Sequence, residues 1–500
     1  MRASKCRLRV SDERVLRVSL GTAAFFCGLI CFLGCLPAGA ATISVTTTAD
    51  ERNTNGECSL REAVINANND NQSGSSDCGA GSGADTIVLQ AGQTYTLSRD
   101  PNNGDENAAD EDDLDVTTGS TVTIQGNNTL VARDFQLDCD PDGGSVAGEF
   151  RIFHVQNNAV LKLSGVAISF GCADGSGGSD PTGGGVLVAP GATLLLRNSR
   201  IEENFAMAEG GGIAAGPSSG TVRMTDSLVI GNLSQGLGGG IANGQGVILT
   251  IERSTVANNY ALVVPPTNIG GGIWNNGTAS IVDSTIANNA AWFGGGIYNI
   301  GQLMLLNCTL SANFSFMGMG GAILNDPSGT VTASFVTVAN NAAGGGIQNN
   351  NGASGSFAVR NSIVGDNISS NCSGAVTASG VNLATDASCS SFTQVTSTQL
   401  NLGPLANYGG PTDTHALFAG SVAIDGVPLG QCMDMSNAPV AADQRGIGRP
   451  QGLRCDVGAY ETLWGSAAPV PVAPLWGLAA LSAGLAAFGV RRLWRPWPGK

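Results

Sequence analysis

DSTIANNAAWFGGGIYN, residues 283–299, is one copy of a unit that the chain repeats. Aligned on its glycine triplet, the unit recurs as GGGV at 183, GGGI at 210, 238, 270, 294 and 344, and GGAI at 320, at spacings of 24 to 32 residues. Between triplets runs a second motif: NSRIEEN, DSLVIGN, RSTVANN, DSTIANN, NCTLSAN, FVTVANN and NSIVGDN. Apolar residues alternate within each copy, as in Ile297, Leu303, Leu305, Cys308 and Leu310. Period two in short runs broken by Asn and Gly reads as strands joined by tight bends, and no stretch here keeps a helical period. A unit of this length, read as three short strands, cannot bury its inner face alone. Stacking supplies a neighbour above and below, so the expected fold is all-β, a right-handed parallel β-helix.

The register assigns roles. Asn204, Asn232, Asn259, Asn289, Asn313, Asn341 and Asn367 share one coil position and should form a ladder. Asn tolerates left-handed backbone at a bend, and stacked amides can bond along the stack. Cys308 fills a slot held by Ser199, Ser227, Ser254, Ser284 and Ser362, so it reads as a small buried residue, not a nucleophile. The slot before it stacks Asp226, Arg253 and Asp283, a charge ladder on the outer surface. The triplet precedes a strand and no GKS or GKT follows, which excludes a phosphate loop. Its glycines supply positive φ and close approach of coils.

Gly fills 72 of 500 positions and charged residues only 13%, while 42% apolar content excludes global disorder. Basic residues from Arg2 to Arg17, an apolar run from Leu20 to Leu36 and Ala38-Gly39-Ala40 read as an export signal over 1–40; an uncleaved anchor helix is the alternative. That segment carries six basic and two acidic residues, so removing it takes the net charge from −15 to about −19. Nucleic acid and acidic polymers are excluded as partners on that charge. At the other end, Leu475 to Val490 is apolar and is followed by Arg491, Arg492, Arg495 and Lys500, the pattern of a C-terminal membrane-anchor helix with a cytoplasmic basic cluster.

Nine cysteines remain after the signal, and export implies disulfides. Proximity in sequence pairs Cys58 with Cys78, Cys139 with Cys172, Cys372 with Cys389 and Cys432 with Cys455, leaving Cys308 free. No Cys/His spacing suggests zinc, and no metal, catalytic or cofactor residue is assigned. Eight acidic residues in DPNNGDENAADEDDLD, 100–115, raise Ca²⁺ as a ligand, against a solvated acidic loop.

An open β-helix needs capped ends. CSLREAVINANND, 58–70, has a capping box in Ser59 and Glu62 and places Leu60, Ala63, Val64 and Ala67 on one helical face, forming an N-terminal lid. CSLREAV resembles the N-terminal motif of CSLREA-domain proteins, exported bacterial β-helices, and DEDDLDVTTGSTVTIQG at 110–126 resembles the strands that follow it. NLGPLANYGGPTDTHALFAGSVAIDG, 401–426, and DQRGIGRPQGLRCDVGAYE, 443–461, resemble the choice-of-anchor module. The tail is similar to an IPTL-type sorting signal without the IPTL letters. The division read from all this is 1–40 signal, 41–115 cap and first strands, 116–370 coils, 371–462 anchor-like module and 463–500 sorting tail.

These resemblances imply display at the cell surface or outer membrane, membrane contact through the tail, a sorting or processing protease, and no defined reaction. The primary reading is a structural or adhesive protein that binds a glycan or another surface protein. The alternative is a polysaccharide lyase or glycoside hydrolase, which needs clustered bases or paired carboxylates. Residues 183–370 contain no Lys or His, and their arginines and carboxylates are scattered along the sequence apart from Glu202–Glu203.

Overall fold

The computed structural model describes residues 39–99, 108–134, 139, 149–175, 180–262, 268–350 and 356–463. The export segment, the first half of the acidic loop and the tail helix expected at 475–490 lie outside them. Among the described residues no helix is long and apolar enough to cross a membrane.

Short strands stack in parallel register into three sheets of 22, 10 and 6 strands, the arrangement of a parallel β-helix. In the middle of the stack each coil contributes four strands, not three, while the coils that begin at Ile323 and Ile347 have three. In one coil these are Ile297–Asn299 in the ten-stranded sheet, Gln302–Leu306 and Thr309–Ser311 in the large sheet, and Phe314–Ser315 in the small one. The extra strand arises because two single residues in left-handed conformation, Asn307 (φ 50°) and Ala312 (φ 55°), bend the chain without opening a loop. The same pair of bends recurs at Asp226 and Gly231, Arg253 and Asn258, Asp283 and Asn288, and Asn361 and Asp366. Inward residues meet like with like: Ile273 pairs with Ile297 and Ile297 with Ile323, while Ile281 pairs with Leu305 and Ile286 with Leu310. All are buried, which is how units with no core of their own acquire one.

The glycine triplet turns the chain where coils approach most closely. Gly294 has φ 62°, and a Cβ on Gly295 would lie 2.2 Å from the Phe314 carbonyl oxygen of the next coil.

At the N-terminal end the helix Leu60–Asn69 carries the expected capping box: Ser59 Oγ accepts from the Glu62 amide at 3.2 Å and Glu62 Oε2 from the Ser59 amide at 2.9 Å. Leu60, Ala63, Val64 and Ala67 are buried. So is Arg61, whose guanidinium binds Asp50 at 2.7 Å and donates to the carbonyls of Ala109, Glu111, Asp112 and Asp113. The described half of the acidic loop therefore turns its backbone oxygens onto a resident cation.

Parallel pairing continues beyond residue 370, through Cys372–Ser373, Leu383–Ala384 and Thr393–Gln394. These last coils lack the glycine triplet, so the repeat does not reveal them. After the short helix Ser397–Leu400, an antiparallel pair, Leu402–Ala406 with Thr414–Leu417, and the segment to Glu461 pack sideways on the large sheet. Phe335, Ile363, Leu400, Leu417, Val457 and Tyr460 form a second core there.

Candidate functional site

The residues singled out in the sequence are spread through the fold as structural devices. Cys58–Cys78, Cys139–Cys172, Cys372–Cys389 and Cys432–Cys455 are bonded, and Cys308 is free and buried. Burial pushes the Cys308 thiol up to about 12, which makes it a poor nucleophile. Asn204 through Asn367 form one unbroken interior ladder. Asn289 Nδ2 donates to Asn313 Oδ1 at 3.0 Å and to the Val256 carbonyl at 2.9 Å, and its backbone amide donates to the same Oδ1. The left-handed backbone, however, belongs to the residue before each ladder Asn, as at Asn258, Asn288 and Asn340. The paired Asn thus divides the work: the first turns the chain, and the second points its amide into the stack.

A second ladder escaped the sequence reading. Asn243, Asn275, Asn299, Asn325 and Asn349 are buried and bond Nδ2 to Oδ1 in series at 2.6 to 2.9 Å. Its signal was present as the Asn two residues after Ile in GGGIAN, GGGIWN, GGGIYN, GGAILN and GGGIQN.

On the outer face of the large sheet, register gathers charges that sequence scatters. Lys162, Leu195 and Arg223 are successive partners, and Arg197 pairs with Ser164 and Thr225. Three cations nearby are compensated: Arg223 binds Glu252 at 3.0 Å, Arg253 binds Asp226 at 2.8 Å, and Arg200 lies 3.4 Å from Glu202. Burial raises the Glu202 and Glu203 carboxyls above their ordinary range, Arg200 opposing it at Glu202. Asp283 is pushed up to about 6 by burial, against the hydrogen bond from Asn307. Farther up the stack, His154 Nδ1 lies 3.0 Å from the buried Asp115 Oδ1. Burial alone would lower the His154 pKa, but Asp115 and Asp113 outweigh it and raise it. Among the described residues no group of three or more His, Cys, Asp and Glu is placed to hold a metal ion.

Farther along the large sheet, the C-terminal module covers the coils. Gln444 accepts from Thr309 and donates to Thr285 and Thr412, Thr309 meets Thr414 at 2.8 Å, and Ser311 meets His415 at 3.0 Å. Arg445 binds Asp443 and Arg449 binds Glu461, with all four side chains buried. Letters of the motifs GGPT, DQRG and GAYE therefore take part in the docking: Thr412 and Gln444 bond as above, and a Cβ on Gly458 would lie 2.7 Å from Thr337 Oγ1 of a coil.

A different face is not covered by the C-terminal module among the described residues. The residue after each ladder Asn points outward, giving the ladder Phe205, Leu233, Tyr260, Ala290 and Phe314 along the small sheet. Trp292 and Phe316 extend it, with ring centroids 5.8 Å apart, and Phe314 meets Phe316 edge-on at 4.7 Å. Phe316 is 49% and Met317 53% exposed. Backbone hydrogen bonds tie the adjacent coils together beneath these rings, Phe316 N to Ala291 O at 2.9 Å and Met317 N to Trp292 O at 3.1 Å. From Ser254 to Asn325, 72 residues, the single charged side chain is Asp283, and it lies at the bend against the C-terminal module. In a chain with 5% aromatics this strip is the candidate binding face. Sequence reading missed it because the outward slot alternates ring, aliphatic and ring rather than repeating one residue.

No protein-family model matches the chain, and no curated protein matches it. A solved structure described as the crystal structure of pectate lyase Pel9A aligns at 15% identity and a TM-score of 0.45, over 79% of this chain and 94% of that one. A likeness of that size says nothing about activity.

Proposed function

We propose that this is an exported, surface-displayed β-helix that acts by binding, with the aromatic strip as its working face. The observation that carries the reading is the contact of half-buried Trp292 and Phe314 with exposed Phe316, beside an interior whose Asn ladder bonds along the stack. Rings packed against one another on a hydrogen-bonded backbone are what a binding surface needs: large contact area with little ordering cost. Membership among CSLREA and choice-of-anchor proteins, anchoring through the tail and processing by a sorting protease belong to the same reading. The four disulfides fit an oxidising compartment outside the cell.

A glycan lyase or hydrolase is the second reading, favoured by the register that brings Lys162, Arg197 and Arg223 onto one outer face. Screening the full chain on glycan and surface-protein arrays, with reducing-end release and unsaturated products assayed in parallel, separates the two. Capture without product is the expected result. Turnover of a captured glycan would move the function to the charged face.

A further inference from the structure

We propose that the strip binds a neutral, extended polysaccharide whose chain lies along the stack axis; this rests on the binding reading above and names its ligand. The geometry of the outward ladder gives the first reason. Tyr260 and Phe314 hold equivalent positions two coils apart, with Ala290 between them. At the usual strand spacing that places their anchor points about 9.6 Å apart. An extended chain of equatorially 1,4-linked pyranoses presents the same ring face at every second sugar, a repeat of similar length. Successive like faces therefore meet Tyr260 and Phe314, and the sugar between them lies over the small Ala290 beside Trp292.

Charge gives the second reason. Coils from Ser254 to Asn325 carry one charged side chain, Asp283, and it lies under the C-terminal module. A uronate, sulfate or phosphate on this strip would lose water without gaining a cation, whereas C–H faces stacked on rings lose little. Preorganisation is the third. Hydrogen bonds between adjacent coils fix the backbone at Trp292 and Phe316, and their rings already touch, so a sugar chain meets a platform already formed.

The test is calorimetric titration of the full chain with cellohexaose, xylohexaose and chitohexaose, and with a galacturonate hexamer as the anionic control. At least one neutral hexamer should bind, with an affinity unmoved by salt, and its disaccharide should bind far more weakly because it cannot span Tyr260 to Phe314. Tyr260→Ala and Trp292→Ala should each weaken the hexamer about tenfold. If Tyr260→Ala melts early, Phe316→Ala carries the test, since half of that side chain is already exposed. Salt-sensitive binding of the galacturonate hexamer alone, or neutral binding that ignores these substitutions, overturns the proposal. If no saccharide binds but a protein is captured and then lost in Phe316→Ala, the glycan assignment falls and the binding-face reading survives. Capture indifferent to every strip variant removes both.

Discussion

Gln444 Oε1 accepts a hydrogen bond from Thr309 Oγ1 at 2.6 Å across 135 residues of chain, and both side chains are fully buried. The amide nitrogen of the same Gln444 donates to Thr285 Oγ1 at 2.9 Å and Thr412 Oγ1 at 2.8 Å. One side chain thereby satisfies hydroxyls from two coils and from its own module. Gln444→Leu roughly keeps the volume but removes the acceptor of Thr309 and the donor to Thr285 and Thr412, leaving each hydroxyl only its bond to Thr414, Asp413 or Asp283, at a cost of about 1–3 kcal/mol. The coils should keep their β-rich circular dichroism while the module loosens. Limited proteolysis is then expected to cut near 386–396 in the variant and not in the native chain.

The interior ladder makes a sharper prediction because neighbouring asparagines do different jobs. Asn289→Ala takes the acceptor from the Asn259 backbone amide, takes one of two acceptors from its side-chain amide, which keeps the Val229 carbonyl, and removes a donor to the Val256 carbonyl. The loss should be about 2–4 kcal/mol, read as a lower denaturant midpoint. Asn288 sits at φ 55°, where glycine is equally at ease, so Asn288→Gly should stay within about 0.5 kcal/mol. Equal effects from the two substitutions would contradict this division.

These ladders also show what was legible in the sequence. The coil register, the capping box of Ser59 with Glu62 and the first Asn ladder follow from local rules repeated many times. Left-handed bends fell one residue earlier than expected because the ladder amide must enter the stack, which leaves the preceding residue to turn. Gln444 and Thr309 were not legible as partners, since their meeting depends on a module folding back over distant coils. The aromatic strip was hidden for a related reason. Its rings come from coils 260, 290 and 314, and only stacking brings Trp292 to Phe316.

Asp283 sets a pH dependence. Burial raises its carboxyl to about 6, with Asn307, Asp443, Arg253 and Arg449 as the groups that act on it. An acid raised on folding holds its proton more tightly in the native state, so stability is greatest below the unfolded value near ~4 and falls as pH climbs to about 6. The fall should be under ~3 kcal/mol, because the group is partly solvated. Thermal melts of Asp283→Asn should lack this step, as Asn keeps the bend and removes the charge. A native chain that gains stability from pH 4 to 6 through this residue would reverse the sign.

Deleting residues 469–500 should release a soluble protein with unchanged β-rich circular dichroism, because the apolar run 475–490 reads as an anchor and not as a coil. Aggregation of the shortened chain, or loss of its spectrum, would make that run part of the core.

The central claim is that an outward strip binds while the interior only holds the stack together. It is tested most directly by probing glycan and surface-protein arrays with the full chain and with a Trp292→Ala/Phe316→Ala double variant, and measuring Tm for both. The claim predicts that the native chain retains a ligand, and that the variant loses it with a Tm within a few degrees of native. Retention by the variant at native strength, or loss only in step with unfolding, would contradict it.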